Sequence, residues 1–254
     1  MVGTVGIYRT ATQRNAKLEV VRLKVVTRLV VYGGAKSSSD NSAFFHASKN
    51  VIKDYKNDLP VKSVFMKNGI KDLLDTINSQ PENSVQSLDI FVHGSEYGLY
   101  TIIGSSLEKS ISEKDVNSMN LESNIYINLG SKWNWWEPRG DGDWKNLYTL
   151  SDINYKVFTK ESKIEIHGCH TAFDGANNTL CAALSKHLYN AGKTRSVVIG
   201  HTDYANPNRG GTKEISKQDY RHEERAIYNN GRLIAKTRLE GRIPPSFIKS
   251  KLGG

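Results

Sequence analysis

Four short runs rich in β-branched and aromatic residues each stop at a glycine or at a histidine beside one. Leu29–Tyr32 runs into Gly33-Gly34, Leu88–Val92 into His93-Gly94, Lys163–Ile166 into His167-Gly168, and Ser196–Ile199 into Gly200-His201. Such runs fit strands covered on both faces, as in a parallel sheet, and parallel strands need crossovers that are usually helices. The spacers supply them. After the first run, Asp40 or Asn41 can cap a helix whose Phe44, Ala47, Val51 and Tyr55 recur at helical spacing. Val61–Met66 follows Pro60 as a second strand, and Ile70, Leu73, Leu74 and Ile77 form the apolar stripe of a second helix that ends before Pro81. With Val85–Val92 as the third strand, this part reads βαβαβ, the signature of an α/β sheet with helices on its faces.

The next stretch breaks the rhythm. Tyr97–Ile103 reads as a hairpin arm and Asn124–Leu129 as a strand, inside an insertion spanning Gly104–Lys160 that carries a loop with Trp133, Trp135 and Trp136. Regularity resumes with Lys163–Ile166 as a fourth core strand. Leu180, Ala183, Leu184, His187 and Leu188 mark a third helix starting near Asn177-Asn178 and ending at Gly192. Ser196–Ile199 is a fifth strand, Asn206–Asp219 a polar loop, and Asn229-Asn230-Gly231 the turn of a terminal hairpin. The expected organisation is one domain: a basic segment over residues 1–27, an α/β body over 28–205, and a loop, hairpin and basic tail over 206–254.

Composition excludes several classes. The longest apolar stretches are far too short for a membrane span, and Met1 to Gln13 lack the apolar stretch of a signal peptide. Two cysteines, Cys169 and Cys181, do not make a disulfide framework and suggest reduced thiols. The net charge of +9 is concentrated at the ends, +6 over residues 1–36 and +5 over 232–254. Basic arms of this kind can reach for phosphates, but neither interleaves aromatics with its cations as a stacking platform would. Solvated flanks explain the charge without nucleic acid.

Ligands of an open parallel sheet bind beyond the carboxyl ends of its strands. His93, Cys169 and His201 follow three such ends, so the expectation is that they share one rim. A thiolate is a strong nucleophile near neutral pH, a histidine titrates where it can serve that thiolate or protonate a leaving amine, and amides at tight glycine turns can hold an oxyanion. Cys169 is the candidate nucleophile, because Cys181 falls inside a helical stripe where a buried thiol is the ordinary outcome. A zinc site drawing on His167, Cys169, His170 and His201 competes for the same residues, but His-x-Cys-His on one tight turn is poor geometry for converging ligands. No metal or cofactor is expected.

LDIFV-His93-Gly94-Ser95 and KIEI-His167-Gly168-Cys169-His170-Thr171 together resemble the clan CD cysteine peptidases, the caspase–gingipain–clostripain group, over roughly residues 28–205. The closest in flavour are the autoprocessing cysteine protease domains of large bacterial toxins. In that group the His-Gly ends the third core strand and the Cys ends the fourth. The resemblance implies a caspase–hemoglobinase-like three-layer sandwich in which His93 is the general acid/base and Cys169 the nucleophile. The amides of Gly94 and Cys169 would form the oxyanion hole, and the substrate would be a protein or peptide. It also implies a bacterial effector or toxin, cytoplasmic or exported without a signal peptide, that meets secretion machinery or an immunity partner. His167 and Ala172 depart from the group's usual residues, which leaves substrate preference open; His201, Asp203, Trp135 and Trp136 are the candidate substrate contacts. The alternatives are a catalytically silent binding module of the same fold and a basic nucleic-acid-associated protein.

Overall fold

The computed structural model describes residues 25–34, 38–67, 69–96, 98–102, 124–128 and 148–253. The basic stretch over residues 1–24 and the tryptophan loop with Trp133, Trp135 and Trp136 lie outside them.

Five parallel strands form the body of the main sheet: β1 (Thr27–Gly33), β2 (Val61–Met66), β3 (Val85–Phe91), β8 (Phe158–Ile166) and β9 (Val197–His201). They lie in the order β2-β1-β3-β8-β9, and the sheet continues through β10 (Arg225–Asn229) and β11 (Arg232–Thr237), each antiparallel to its neighbour. The register is continuous at the centre, with Leu88 opposite Ile164 and Ile90 opposite Ile166. The chain runs outward from β1 to β2 and then returns to β3 on the other side of β1. Between β1 and β3 is therefore the reversal at which doubly wound sheets open a crevice.

Side-chain alternation divides the sheet into two faces. Leu29, Val31, Leu88, Ile90, Ile164, Ile166 and Val198 bury against α2 (Ile70–Asn78) and α3 (Leu180–Asn190). The stripe Ile70, Leu73, Leu74 and Ile77 is wholly buried there, worth about 2 kcal/mol per side chain. On the opposite face, Val30 and Phe91 pack against Phe44, Ala47 and Val51 of α1 (Ser38–Asp54) and Tyr55 just beyond its end. Farther along the same face, Val197, Ile199 and Ile227 meet Phe247, Ile248 and Leu252 of α4 (Pro245–Lys251) and its end. Helices thus cover both faces of a mostly parallel sheet. No described helix is long and apolar enough to cross a membrane.

Three expectations need correction. The C-terminal residues are not a solvated basic tail, because α4 is docked by its apolar side. The fourth core strand begins at Phe158, five residues before Lys163, and its ladder with β3 is irregular between Val85 and Ser87. The third helix is capped by the Thr179 hydroxyl, which accepts from the Ala182 amide, so its start falls beyond Asn177-Asn178. The terminal turn holds: Asn230 and Gly231 both have positive φ, 50° and 74°, as a type I′ hairpin requires.

A second, smaller sheet carries β4 (His93–Gly94), β5 (Gly98–Ile102), β6 (Asn124–Asn128) and β7 (Tyr148–Thr149), in that order. Its first strand is the His-Gly pair itself. The chain leaves the main sheet at Phe91, turns through Val92 and enters the small sheet at His93, opposite Tyr100.

Candidate functional site

The rim is built on a buried polar stripe. On the α1 face, where β3 and β8 would ordinarily present apolar residues, the inward positions are Ser87 and Asp89 on β3 and Lys163, Glu165 and His167 on β8 with its end. Arg225 of β10 extends the row. The Lys163 ammonium donates to Glu165 Oε2 at 2.6 Å, Asp89 Oδ1 at 3.2 Å and the Tyr55 hydroxyl at 3.0 Å. Tyr55 donates onward to Asp89 Oδ2 at 2.7 Å, and Arg225 holds Glu165 Oε1. Burying one ion costs several kcal/mol, and only close opposite charges with further hydrogen bonds offset it. Two carboxylates against an ammonium and a guanidinium meet that condition.

Protonation follows from the same geometry. Burial would raise Asp89 and Glu165, but the Lys163 charge, with His167 for Asp89 and Arg225 for Glu165, holds both below the ordinary carboxylate range, Glu165 well below. Burial would lower Lys163, and the two carboxylates raise it instead. Burial, with Asp89 next, pushes the Tyr55 phenol up to about 12. Asp89, Glu165 and His167 are also the one group among the described residues whose donor atoms converge closely enough for a metal. Lys163 already supplies the cation those carboxylates would offer an ion, so the chemistry of the trio does not fit a metal. Among the described residues, Cys169, His170 and His201 do not join His167 in any such cluster.

Above this stripe, two turns meet backbone to backbone. A Cβ on Gly94 would fall 2.7 Å from Thr171 Cγ2 and 3.2 Å from the Cys169 carbonyl oxygen; one on Gly168 would fall 2.8 Å from the Val92 carbonyl oxygen and 3.2 Å from the Gly94 nitrogen. Only residues without a Cβ permit that approach. The Thr171 hydroxyl donates to the Gly168 carbonyl at 3.2 Å, closing the second turn on itself. His93 and Cys169 are therefore carried by adjoining segments at the carboxyl ends of neighbouring strands. The His93 ring lies 5.4 Å edge-on from Phe44 of α1. Cys169 is partly exposed, and its sulfur lies 3.9 Å from the Ala205 carbonyl. Cys181 is buried in α3, and that burial raises its thiol pKa, consistent with an inert core residue.

The segment after Cys169 is zipped to the segment after β9. The amides of His170, Ala172 and Asp174 donate to the carbonyls of Asp203, His201 and Thr202 at 2.9–3.0 Å. His170 and Asp174 adopt positive φ, 56° and 45°, unusual for residues with a side chain. Asp203 lies beyond the end of β9, its side chain 79% exposed and Oδ1 3.8 Å from His170 Nδ1.

His201 does not reach the rim. It is 0% exposed, its ring is 6.2 Å from that of His167, and neither ring nitrogen has a hydrogen-bond partner. Burial first, then the charges of His167 and Arg225, lower its pKa to about 3, so it stays neutral. His222 is mostly covered as well: its side chain is 10% exposed, and Nε2 lies 2.7 Å from the Asn206 carbonyl oxygen, which it tethers at the start of the polar loop.

The polar stripe and the aromatic residues beside Cys169 escape a reading by motif. Lys163, Glu165 and His167 stand two apart in a strand expected to be buried on both sides, so they must share one inward face; that alternation is the signal that could have found them. No family model matches the chain, and neither does any curated protein or solved structure.

Proposed function

We propose that the chain is a cysteine endopeptidase-like hydrolase of caspase–hemoglobinase type, with His93 and Cys169 as its dyad. The observation that carries the reading is the backbone contact between Gly94 and the Gly168-Cys169 turn. It couples a histidine following the third parallel strand to a cysteine following the fourth, the order on which the resemblance to clan CD rests. Partial exposure of Cys169, against complete burial of Cys181, supports the same choice of nucleophile.

In this reading the Cys169 thiol loses its proton to His93 and the sulfur attacks the substrate carbonyl carbon. The negative charge that develops on the carbonyl oxygen is held by the amides of Gly94 and Cys169, each such donor worth about 3 kcal/mol in the transition state. Collapse breaks the C–N bond, and His93 returns the proton to the departing amine. A water then gives a proton to His93 and attacks the thioester, releasing the carboxylic acid and restoring the thiol. No cofactor enters this balance.

The test is hydrolysis of a mixture of unstructured peptides, read by mass spectrometry as new termini. Wild-type protein is expected to generate them, Cys169→Ala none, and His93→Ala about a hundredfold fewer or less. Cleavage that survives Cys169→Ala would assign the activity elsewhere.

A further inference from the structure

Beside the candidate nucleophile stands a group of rings that the dyad does not use. Tyr204 is 71% exposed and Phe173 44%. The His170 ring lies between them, its centroid 4.3 Å from that of Tyr204 at 70° and 5.4 Å from that of Phe173 at 60°. Large exposed aromatics spend apolar surface on water, and when they cluster they mark a contact site. Nothing in the packing of the core requires them here, since both project from the two segments zipped together behind Cys169.

Two observations set this group of rings apart. The His170 imidazole is the ring that joins the other two, and its Nδ1 stands 3.8 Å from Asp203 Oδ1, too far for a hydrogen bond that would fix it. The backbone that presents these rings is strained, with His170 and Asp174 both in the left-handed region, a cost of about 1–3 kcal/mol each that folds retain mainly where function needs it.

We infer that His170, Phe173 and Tyr204 form the platform that receives the side chain of the substrate residue preceding the scissile bond, and that this side chain is aromatic. The inference rests on the dyad reading, because it places the scissile carbonyl at Cys169. From there the platform is one residue away along the chain at His170, and the Ala205 carbonyl touches the thiol itself. A fourth ring extends the edge-to-face arrangement already present. A cationic side chain is the competing occupant, through Asp203. Asp203 is 79% exposed and solvated, so an ion pair there is screened and worth little.

The experiment compares kcat/KM for fluorogenic tetrapeptides that differ only in the residue before the scissile bond: Phe, Leu, Lys, Asp or Gly. The Phe peptide is expected to exceed each of the others, and the Leu peptide by about three- to tenfold. Tyr204→Ala and Phe173→Ala are each expected to move the Phe-to-Gly ratio toward one, whereas Tyr189→Ala, an exposed ring at the far end of α3, leaves it unchanged. Preference for Lys, or a ratio indifferent to Tyr204→Ala, overturns the platform. Iodoacetamide labelling separates this failure from that of the dyad. Cys169 modification that depends on His93 without aromatic preference overturns the platform alone; modification indifferent to His93 overturns both.

Discussion

Replacing His201 by leucine is expected to stabilise the protein at neutral pH and to flatten its acid sensitivity. His201 is fully buried with both ring nitrogens unpartnered, so a leucine of similar volume removes a desolvated polar group without breaking a hydrogen bond. Protein-based values for such a group put the gain at about 1–3 kcal/mol. The pH dependence is the sharper quantity. In the unfolded chain the imidazole titrates near its ordinary 6.5, and in the folded protein near 3. Between those values the unfolded state binds the extra proton, so wild-type stability falls as pH drops from 6.5 toward 3. At pH 4.5 the loss is about 3 kcal/mol, two pH units at roughly 1.4 kcal/mol each. Urea unfolding at pH 7.5, 6.5, 5.5 and 4.5, followed by far-ultraviolet circular dichroism, gives the stability of both proteins. The difference between them is expected to widen by about 3 kcal/mol from pH 7.5 to 4.5. Parallel profiles would mean that His201 is charged or solvated in the folded protein, and the reasoning would be wrong.

Three further perturbations test the packing and the buried charges. Gly200→Ala would put a Cβ 2.6 Å from Thr171 Oγ1 and closer still to the Cys181 sulfur, and the overpacking is expected to cost about 1–3 kcal/mol in urea unfolding. Adding Cys181→Ala should recover part of that loss, and strict additivity would show that the sulfur is not the obstacle. Glu165→Gln leaves Lys163 and Arg225 short of a buried counter-charge, with an expected loss of about 3–5 kcal/mol; a neutral result would mean that water reaches the stripe. Because the neighbouring positive charges outweigh burial and leave Asp89 and Glu165 with lowered pKa values, their contribution is present above pH 4 or so and disappears as pH falls through the lowered values. Wild type should therefore lose more stability than Glu165→Gln below about pH 4, as urea midpoints at pH 4 and 3 would show.

How much of this was legible in the sequence depends on the kind of signal. The stripe Ile70, Leu73, Leu74 and Ile77 and the stripe Phe44, Ala47, Val51 and Tyr55 repeat at 3.6 residues over two turns or more, and both bury as periodicity predicts. The hairpin turn is legible because Asn-Gly selects left-handed backbone at two successive positions. The C-terminal helix is not, since seven residues with Phe247 and Ile248 adjacent give too short a pattern; Pro245 in its first turn was the available cue.

His201 shows how a boundary misplaces a side chain. With the fifth strand ended at Ile199, a histidine two residues on stands free at the rim. The strand in fact continues through Gly200 to His201, and alternation turns His201 inward with Val197 and Ile199. Asp203 escapes that error because it lies beyond the true end. The contact between Gly94 and Gly168 was foreshadowed by the placement of both motifs after neighbouring strands. The platform of His170, Phe173 and Tyr204 was not, because it depends on how two irregular segments hydrogen-bond to one another, and no periodicity encodes that pairing.

The central claim is that His93 and Cys169 act as one unit. The most direct measurement is the rate at which iodoacetamide modifies Cys169 in the folded protein as a function of pH, in wild type and in His93→Ala, with the modified residue identified by peptide mapping. The account predicts labelling of Cys169 and not of buried Cys181, with a rate at neutral pH that drops at least several-fold when His93 is removed, because the thiolate loses its neighbouring acceptor. Identical pH–rate profiles in the two proteins would contradict it, and Cys169 would then be an ordinary thiol at a strand end.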